Sequence, residues 1–310
     1  MKNRRIILVT GIAGIQGGTV AKVLLRENKF TVRILTINAS SEKAIAFKKA
    51  GAEVCEADFK NVESLIVAMK DCYGVFGDTS FLELYGDEYQ SGKNLIDAVA
   101  YSGINHFVFS SREDYNKLSN GMFPVPHFDT KAALAQYAKQ LMLPATFVQT
   151  SFYYENFFSF FSPLKDDDGG YSFGFPQGNT KLAAVRAEDY GGIVSTVFNH
   201  PVEYTGRVVR AVGSDNTCTE YASMLSEVLG KKINFIHIPR NEYEELDFPG
   251  AEELANMFEV QRLFIPNRQL DLIESYGLNP RMQHFRAWVI KNKQKFLDYF
   301  ESLADSKAVA

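Results

Sequence analysis

Residues 11–18 read GIAGIQGG and come just after the apolar run Ile6–Val9. A glycine-rich turn between a strand and a helix lets backbone N–H groups and the positive end of the helix approach a pyrophosphate, because no Cβ stands in the way. Gly11, Gly14 and Gly17 follow GxxGxxG spacing rather than the GxGxxG of the simplest dinucleotide fingerprint. The loop therefore predicts a bound dinucleotide, and a tight turn that only packs a helix on a strand is the alternative.

Beyond this loop, short β-branched runs alternate with helical stretches through the first half of the chain. This alternation is typical of βαβ units and a parallel sheet. The predicted fold class is α/β, a Rossmann-type doubly wound parallel sheet with a smaller α+β C-terminal lobe. The predicted strands are Ile6–Thr10, Thr31–Thr36, Glu53–Ala57, Gly74–Asp78, His106–Ser110, Ala145–Thr150 and Arg207–Val212.

The composition changes after residue 150, where an aromatic block is followed by several loops. Residues 1–155 are predicted to form the dinucleotide-binding domain, to which late strands near 183–215 return. Residues 156–182 and 216–310 are predicted to form the smaller lobe, which would contact a substrate or a partner.

The overall composition argues against several classes of protein. Lys and Arg number 33 against 37 Asp and Glu, so no basic field attracts nucleic acid. The three cysteines are far apart and lack CxxC spacing, which argues against a disulfide framework or a zinc site and favours a reducing compartment. The first apolar run is too short for a signal peptide or a membrane span. We expect a soluble protein that is located in the cytoplasm or also in the nucleus. We expect it to bind no metal and no membrane.

Four further motifs carry a family resemblance. They are Glu56-Ala57-Asp58, Thr79-Ser80-Phe81, VPHFDTK at residues 125–131 and SFYYENF at residues 151–157. Together with GIAGIQGG, they resemble the NmrA-like family, an atypical branch of the short-chain dehydrogenase/reductase superfamily that includes NADP(H)-binding redox sensors.

The resemblance implies that NADP(H) lies across the carboxyl edge of the sheet, where strand ends converge at the topological switch point. It assigns the pyrophosphate to the glycine loop, the adenine to residues 58–59, the path to the nicotinamide to residues 79–81 and its cover to residues 153–156. For the residue at position 58, a solvated turn that caps the next helix is the alternative. The expected cofactor-binding residues are Gly11, Ile12, Ala13, Gly14, Ile15, Gln16, Gly17, Ile37, Asn38, Lys43, Asp58, Phe59, Thr79, Ser80, Phe81, Lys131, Tyr153, Tyr154, Glu155 and Asn156.

The end of the second predicted strand departs from the family. An NAD site favours an acidic residue here for the ribose hydroxyls, and an NADP site favours an Arg for the 2′-phosphate. Ile37 stands where the NADP-binding relatives usually carry Arg, and Arg33 lies inside the strand. Lys43 is the nearest cation, with Asn38 as a neutral donor. We therefore expect weak binding of NADP(H) and leave NAD(H) open.

The catalytic half also departs from the wider superfamily, whose reductases use a Tyr activated by a Lys four residues on. Tyr89 and Lys93 have this spacing but precede the fifth predicted strand, which favours a surface pair on a helix. His127 and Lys131 are the catalytic candidates. Lys131 keeps a role in binding the nicotinamide ribose, and His127 is either a proton relay or a structural hydrogen-bonding residue.

Three other features have two interpretations each. Ser110 and Ser111 occupy the region of the reductases' substrate-polarising Ser, or they belong to a strand-end turn. The aromatic block at residues 151–161 lines an apolar pocket or, as we favour, forms core between the lobes. The run Asp166-Asp167-Asp168 is predicted to be a solvated turn rather than a metal site.

Two functions compete on this evidence. The favoured one is an NADP(H)-binding regulatory protein, a redox sensor that acts through a protein partner in transcriptional or signalling regulation with little or no catalysis; a homodimer is left open. The alternative is an NADPH-dependent reductase of quinones or small carbonyl compounds, which would lack the Tyr of YxxxK.

Overall fold

The computed structural model describes residues 4–79, 87–159 and 161–306, with side chains up to residue 302. In this part of the chain the strands form one seven-stranded sheet and two three-stranded sheets. The strands are β1 (Ile6–Val9), β2 (Thr31–Thr36), β3 (Glu53–Glu56), β4 (Cys72–Gly77), β5 (His106–Ser111), β6 (Ala145–Thr150), β7 (Phe152–Tyr153), β8 (Leu164–Lys165), β9 (Tyr171–Phe175), β10 (Lys181–Val185), β11 (Val208–Ala211), β12 (Ser214–Thr217) and β13 (Ile233–His237).

Helices cover both faces of the large sheet and fill the C-terminal part of the chain. A 3₁₀ turn spans Tyr154–Phe158. The α-helices are α1 (Ile15–Glu27), α2 (Glu42–Lys49), α3 (Val62–Met69), α4 (Glu88–Tyr101), α5 (Tyr115–Leu118), α6 (Pro126–Gln140), α7 (Ala187–Asn199), α8 (Pro201–Tyr204), α9 (Cys218–Leu229), α10 (Arg240–Tyr243), α11 (Ala251–Phe264), α12 (Gln269–Leu278), α13 (Phe285–Lys291) and α14 (Lys293–Ser306).

The large sheet has the strand order β11-β6-β5-β4-β1-β2-β3, and every neighbouring pair is parallel. The predicted Rossmann-type doubly wound sheet is confirmed, and each predicted strand is present with ends that differ by at most two residues. The order reverses between β1 and β4. The loops that follow these two strands therefore open a crevice at the carboxyl edge of the sheet.

Two layers of helices sandwich this sheet. Ile7 and Val9 face the layer that contains α1, α2 and α7, whereas Leu8 faces the layer that contains α3, α4 and α6. Successive side chains of a strand point to opposite faces. A strand covered on both faces reads as a continuous apolar run, which is why β1 shows no polar alternation.

Helix α7 lies within the segment 183–215 that we expected to return to the dinucleotide-binding domain, and it packs directly on α1. A Cβ at Gly191 of α7 would lie 2.9 Å from a methyl carbon of Val23 and 3.2 Å from the carbonyl oxygen of Thr19. Glycine at this position therefore lets the two helices approach closely. Helix α1, which follows the glycine loop, is thereby held by α7 beside it as well as by the sheet.

The late strands divide between two sheets. We expected strands near 183–215 to return to the dinucleotide-binding domain, and β11 does join the edge of the large sheet beside β6. In the described residues β10 and β12 do not: β10 pairs with β12 on one side and with β7 on the other in a separate sheet. Strand β11 buries Val209 and Ala211 on one side, which is a local strand pattern, whereas β10 pairs with segments 30 to 36 residues away that no local pattern reveals.

The smaller lobe is built around aromatic rings. The sheets β12-β10-β7 and β13-β9-β8 pack with α9, α11, α13 and α14. The rings of Phe175 and Phe258 stack with centroids 4.2 Å apart, and Phe157 is fully buried among them. Much of the aromatic block at 151–161 therefore forms core, as we favoured.

The acidic run at residues 166–168 lies in the turn between β8 and β9, as predicted. Among the described residues, no group of three or more His, Cys, Asp or Glu side chains is arranged to hold a metal ion. Nor does any helix of the described chain have the length and apolar character needed to cross a membrane.

Candidate functional site

The glycine loop joins β1 to α1 at the carboxyl edge of the large sheet. Gly11 has a φ of +64°, which favours glycine. A Cβ at Gly17 would lie 2.1 Å from the carbonyl oxygen of Thr10, so only glycine lets α1 start this close to β1. Gly14 caps α1 without a side-chain hydrogen bond, and the first turn carries no acidic residue. The N-terminal amides of α1 are therefore open to an anion, and the loop fits a pyrophosphate.

The end of β4 lies against this loop through Asp78. A Cβ built on Gly11 would lie 3.0 Å from Oδ2 of Asp78. The Thr10 hydroxyl donates to the backbone carbonyl of Asp78 at 2.9 Å and accepts from its N–H at 2.8 Å. Sequence reasoning missed Asp78, although a carboxylate directly after the uncharged strand β4 was a visible signal.

Lys131 of α6 is held among buried carboxylates. Its Nζ lies 3.1 Å from Oδ1 of Asp78 and 3.3 Å from Oε1 of Glu88, and it donates to the Thr79 carbonyl at 2.5 Å. The Thr79 hydroxyl donates to Glu88 at 2.8 Å. The lysine and both carboxylates are more than nine-tenths buried. Lys131 thus lies at the crevice as expected, but it also compensates two buried negative charges.

The adenine end of the crevice is bordered by α2. Lys43 of α2 donates to the backbone carbonyl of Ala13, so its ammonium covers the exposed side of the glycine loop. Ile37 is 78% exposed, and the Asn38 side chain accepts the N–H of Ser40 at 2.8 Å. Arg33 points away from this end and binds Glu53 and backbone carbonyls beneath the strand. Of the two basic residues considered, Lys43 is the one near the loop.

A carboxylate does reach the loop after β2, but it comes from β3. Oε1 of Glu56 accepts the N–H of Ala39 at 2.7 Å. Thr36 and Glu56 are register partners at the ends of β2 and β3, which places this side chain beside the loop. Sequence reasoning looked for an acidic residue on the β2 loop alone and therefore missed Glu56.

Asp58 and Phe59 follow β3 at the same edge. Asp58 is exposed, and its Oδ1 accepts the N–H of Lys60 at 2.9 Å, which makes a local turn. The cap of α3 is Asn61 rather than Asp58. Phe59 is half-buried, and its carbonyl accepts from the Asn94 side chain at 2.8 Å. Both residues lie at the edge of the sheet where we expected them to flank an adenine.

The four residues expected to cover the nicotinamide point in different directions. Tyr153 and Asn156 line the cleft between the lobes. The Tyr154 ring is buried against Phe285 in the smaller lobe, and its hydroxyl donates to Ser214 at 2.8 Å. The Glu155 carboxylate accepts the N–H of Ala187 at the start of α7, and burial raises its pKa. The side chains of Tyr154 and Glu155 are thus turned away from the crevice.

His127, the candidate proton relay, joins the two lobes. Its backbone N–H donates to Oε1 of Glu253 on α11 at 2.7 Å, and its ring Nδ1 hydrogen-bonds the same oxygen. Burial alone would raise the pKa of Glu253, but the hydrogen bonds from His127 outweigh burial and hold it below its ordinary value. Under the interpretation of His127 as a structural hydrogen-bonding residue, its partner is Glu253.

A group of buried hydroxyls lies at the ends of β5 and β6. The Ser110 hydroxyl donates to Oε1 of Gln16 at 2.5 Å, so the Gln16 side chain turns toward the sheet. The hydroxyls of Ser111, Tyr153 and Tyr190 are buried and make no hydrogen bond of good geometry with the described residues. Burial raises the pKa of both tyrosines, which keeps them protonated as hydrogen-bond donors.

A cavity of about 200 Å³ opens between the lobes, and Tyr153 is among the residues that line it. One side consists of the carboxyl ends of β5, β6 and β11, and the other consists of α11 and the loop that follows it. Aromatic and basic side chains dominate the lining, and none of the basic ones was predicted. Prominent lining residues are Arg112, Glu113, Tyr115, Phe128, Gln149, Phe152, Tyr153, Phe161, Lys181, Arg210, Met257 and Arg268.

The YxxxK pair lies on α4, away from this cavity. Lys93 pairs with Asp97 at 2.7 Å, and Tyr89 is 47% exposed. Both residues lie on the helix that precedes β5, as predicted, but the partner of Lys93 there is Asp97. Of the residues expected along the path to the nicotinamide, Ser80 and Phe81 lie outside the described residues.

Comparisons with known proteins agree with this geometry. A model of the NmrA-like family matches residues 3–276. The NmrA-like family domain-containing oxidoreductase hkm9 of Aspergillus hancockii is 31% identical over 270 residues, which cover 81% of this chain and 80% of that protein. The crystal structures of NmrA, a negative transcriptional regulator, in complex with NAD and with NADP are each 21% identical over 97% of this chain and 98% of theirs. Their TM-scores of 0.82 and 0.81 show the same fold.

Proposed function

Because the chain belongs to the NmrA-like family, we propose that it binds NADP(H) at the carboxyl edge of the large sheet and acts as an NADPH-dependent reductase of a quinone or small carbonyl compound. The observation that carries the proposal is the cavity between the lobes, which is lined by Tyr153 and by Phe128 of the helix that carries Lys131. A protein that only sensed its cofactor would need no such cavity.

The residues of the crevice fit the cofactor. The glycine loop provides backbone donors for the pyrophosphate at a site that Cβ atoms would fill, and Lys131 lies farther along the same edge. Bound NADPH would supply a hydride to a substrate in the cavity. Relatives named as oxidoreductases support this assignment.

The choice between NADP and NAD depends on three residues. Lys43 is the cation near the loop, and it favours a 2′-phosphate. Ile37 supplies no charge, and the Glu56 carboxylate opposes an added phosphate because of its own charge. These effects partly cancel, which supports weak NADP(H) binding with NAD(H) as a second ligand.

The protons of the reduction have few protein sources at this site. Lys131 and His127 are both engaged with carboxylates. Of the buried hydroxyls only that of Tyr153 belongs to a residue that lines the cavity, and its raised pKa makes it a poor proton donor. A quinone suits this arrangement because its reduced form takes protons from water.

One observation favours a second candidate, a redox-sensing regulator that acts through a protein partner. Helix α6 carries both Lys131, at the crevice, and His127, which is bonded to Glu253 of the smaller lobe. A cofactor that drew Lys131 away from its carboxylates would favour a different position of α6. Because His127 of α6 is bonded to Glu253, this change would also favour a different position of the smaller lobe. The shift could be only as large as the difference in cofactor affinity between the two arrangements. A partner protein in the cytoplasm or nucleus would bind one arrangement, and a homodimer could do the same.

Titration with NADPH and NADH, followed by turnover on a panel of quinones, distinguishes the two candidates. NADPH binding with turnover supports the reductase. NADPH binding without turnover, together with an altered pattern of limited proteolysis, supports the regulator. Rapid turnover that His127→Ala abolishes would assign His127 as a proton relay, and failure to bind either nucleotide would overturn both candidates.

A further inference from the structure

We infer that the cavity between the lobes binds a small planar molecule that carries one negative charge, such as an aromatic carboxylate. This inference rests on the proposed function in taking the cavity as the substrate site. It goes further in naming the chemical class of the substrate. Three observations support it, namely the charge balance of the lining, the setting of Arg112 and the aromatic walls.

The charge balance of the cavity is positive. The guanidinium groups of Arg210 and Arg268 both form an ion pair with Glu113, and the nitrogen–oxygen distance from Arg210 is 2.8 Å. Both guanidinium groups also lie within 4 Å of the Asp271 carboxylate. These two cations and two carboxylates compensate one another. Arg112 and Lys181 add two further positive charges to the lining.

Neither of those two cations has an acidic partner. Within the described residues, no carboxylate oxygen lies within 4 Å of the Arg112 guanidinium or the Lys181 ammonium; the ion pairs of the other lining cations are with Glu113 and Asp271. Both side chains are partly buried, where the attraction between opposite charges is less screened than in open water, and a bound anion would supply the missing counter-charge. The cavity therefore selects an anion.

The Arg112 side chain is already oriented. Its Nη1 lies 3.3 Å from the Thr150 carbonyl and 3.5 Å from the Ser111 carbonyl, and its guanidinium lies 5.0 Å from the centre of the Phe128 ring. Because a guanidinium has five N–H donors in a rigid plane, the rest remain for a planar carboxylate. Tyr153 and Gln149 line the same wall, and the buried Tyr153 hydroxyl and Gln149 amide oxygen make no hydrogen bond of good geometry with the described residues.

The remaining walls suit a ring. Phe152 and Phe161 lie with their ring centres 5.2 Å apart, and both line the cavity together with Met257. The cavity of about 200 Å³ is slightly larger than the ~150 Å³ that accommodate a benzene molecule. The ligand class is therefore one aromatic or quinonoid ring with a carboxylate.

Benzoate and benzamide provide a matched test because they share shape and differ in charge. Their affinities for the full chain are to be measured by isothermal titration calorimetry, with and without NADP⁺. We expect benzoate to bind about tenfold to a hundredfold more tightly than benzamide, as a charge-assisted bidentate contact implies. Arg112→Gln should abolish this preference, and Lys181→Met should weaken benzoate binding by a smaller factor. Arg286→Gln, which alters an exposed pair with Glu227, is the control and should change neither.

The outcomes separate this inference from the proposed function. Equal binding of benzoate and benzamide, or an unchanged preference in a folded Arg112→Gln protein, would overturn the inference even if quinone reduction is observed. Selective benzoate binding in a protein that never oxidises NADPH would support the anion site and reject the reductase. If Arg112→Gln does not fold, an unchanged benzoate affinity in Lys181→Met would count against the inference.

Discussion

His127 on α6 and Glu253 on α11 share one hydrogen-bonding oxygen: both the backbone N–H and the ring Nδ1 of the histidine bind Oε1 of the glutamate. This contact links the helix that carries Lys131 to the smaller lobe that closes the cavity. It also gives the protein a defined acid sensitivity, because these hydrogen bonds hold the pKa of Glu253 below its ordinary value.

Glu253→Gln should reduce the loss of thermal stability that the protein shows as the pH falls into the acid range. A carboxylate whose pKa is depressed on folding stabilises the protein above its unfolded-state pKa, and this stabilisation is lost as the pH falls through the folded-state pKa. The melting temperature of the wild type should therefore fall more steeply below about pH 4.5 than that of the variant. Glu252→Gln removes an exposed carboxylate from the same helix turn and should keep the wild-type slope. Equal slopes for the wild type and Glu253→Gln would exclude this contribution.

Gly17→Ala should disrupt the glycine loop. Its Cβ would meet the Thr10 carbonyl at 2.1 Å, so β1 and α1 must separate. Overpacking of this kind costs about 1–3 kcal/mol, and NADPH binding should be lost along with it. Gly277→Ala is the matched control, since its Cβ would meet no atom within 4 Å and it lies in α12. Thermal unfolding and NADPH titration of both variants test this, and unaltered NADPH affinity in Gly17→Ala would contradict the assigned loop.

Lys43→Met should weaken NADPH binding by about tenfold while leaving NADH binding nearly unchanged, because only NADPH carries the 2′-phosphate. Lys48→Met, on the exposed side of the same helix, should change neither affinity.

Glu56→Gln should act in the opposite direction. The amide can still accept the N–H of Ala39, but the negative charge is gone. The ratio of NADPH to NADH affinity should therefore rise. A ratio unaffected by either Lys43→Met or Glu56→Gln would place the 2′-phosphate elsewhere.

Lys131→Met should destabilise the protein by about 3–5 kcal/mol, because Asp78 and Glu88 would be left as buried charges without compensation. Adding Glu88→Gln to Lys131→Met should recover part of the loss. Lys93→Met removes a half-exposed surface pair and should cost less than about 1 kcal/mol. Denaturant unfolding measures all three, and equal losses for the two single lysine variants would contradict a buried role for Lys131.

The fold and the glycine loop could be predicted because their signals are local. The strands of the large sheet are runs of four to six residues, and the loop spacing is fixed by the contact between Thr10 and Gly17. The smaller sheets were harder, since β10 pairs with β7 and with β12 across 30 to 36 residues and β7 is only two residues long.

The candidate site was only partly predictable for the same reason. Arg112, Arg210 and Arg268 lie in three distant segments, and only the folded chain shows that two of them converge on Glu113. Glu56 reaches its loop through the register of β2 and β3, which one sequence does not specify. The directions of Tyr153 and Tyr154 likewise depend on the turn between the lobes, although the motif that contains them was recognised.

The most direct test of the reductase proposal is to mix the purified wild-type chain with NADPH and a quinone that carries a carboxylate. The oxidation of NADPH is measured as the loss of absorbance of the reduced nicotinamide. We predict turnover that requires the quinone, that is lost in Gly17→Ala and that is retained in Gly277→Ala. NADPH binding with no oxidation of NADPH by any quinone of the panel, charged or neutral, would contradict the proposal and favour the regulator.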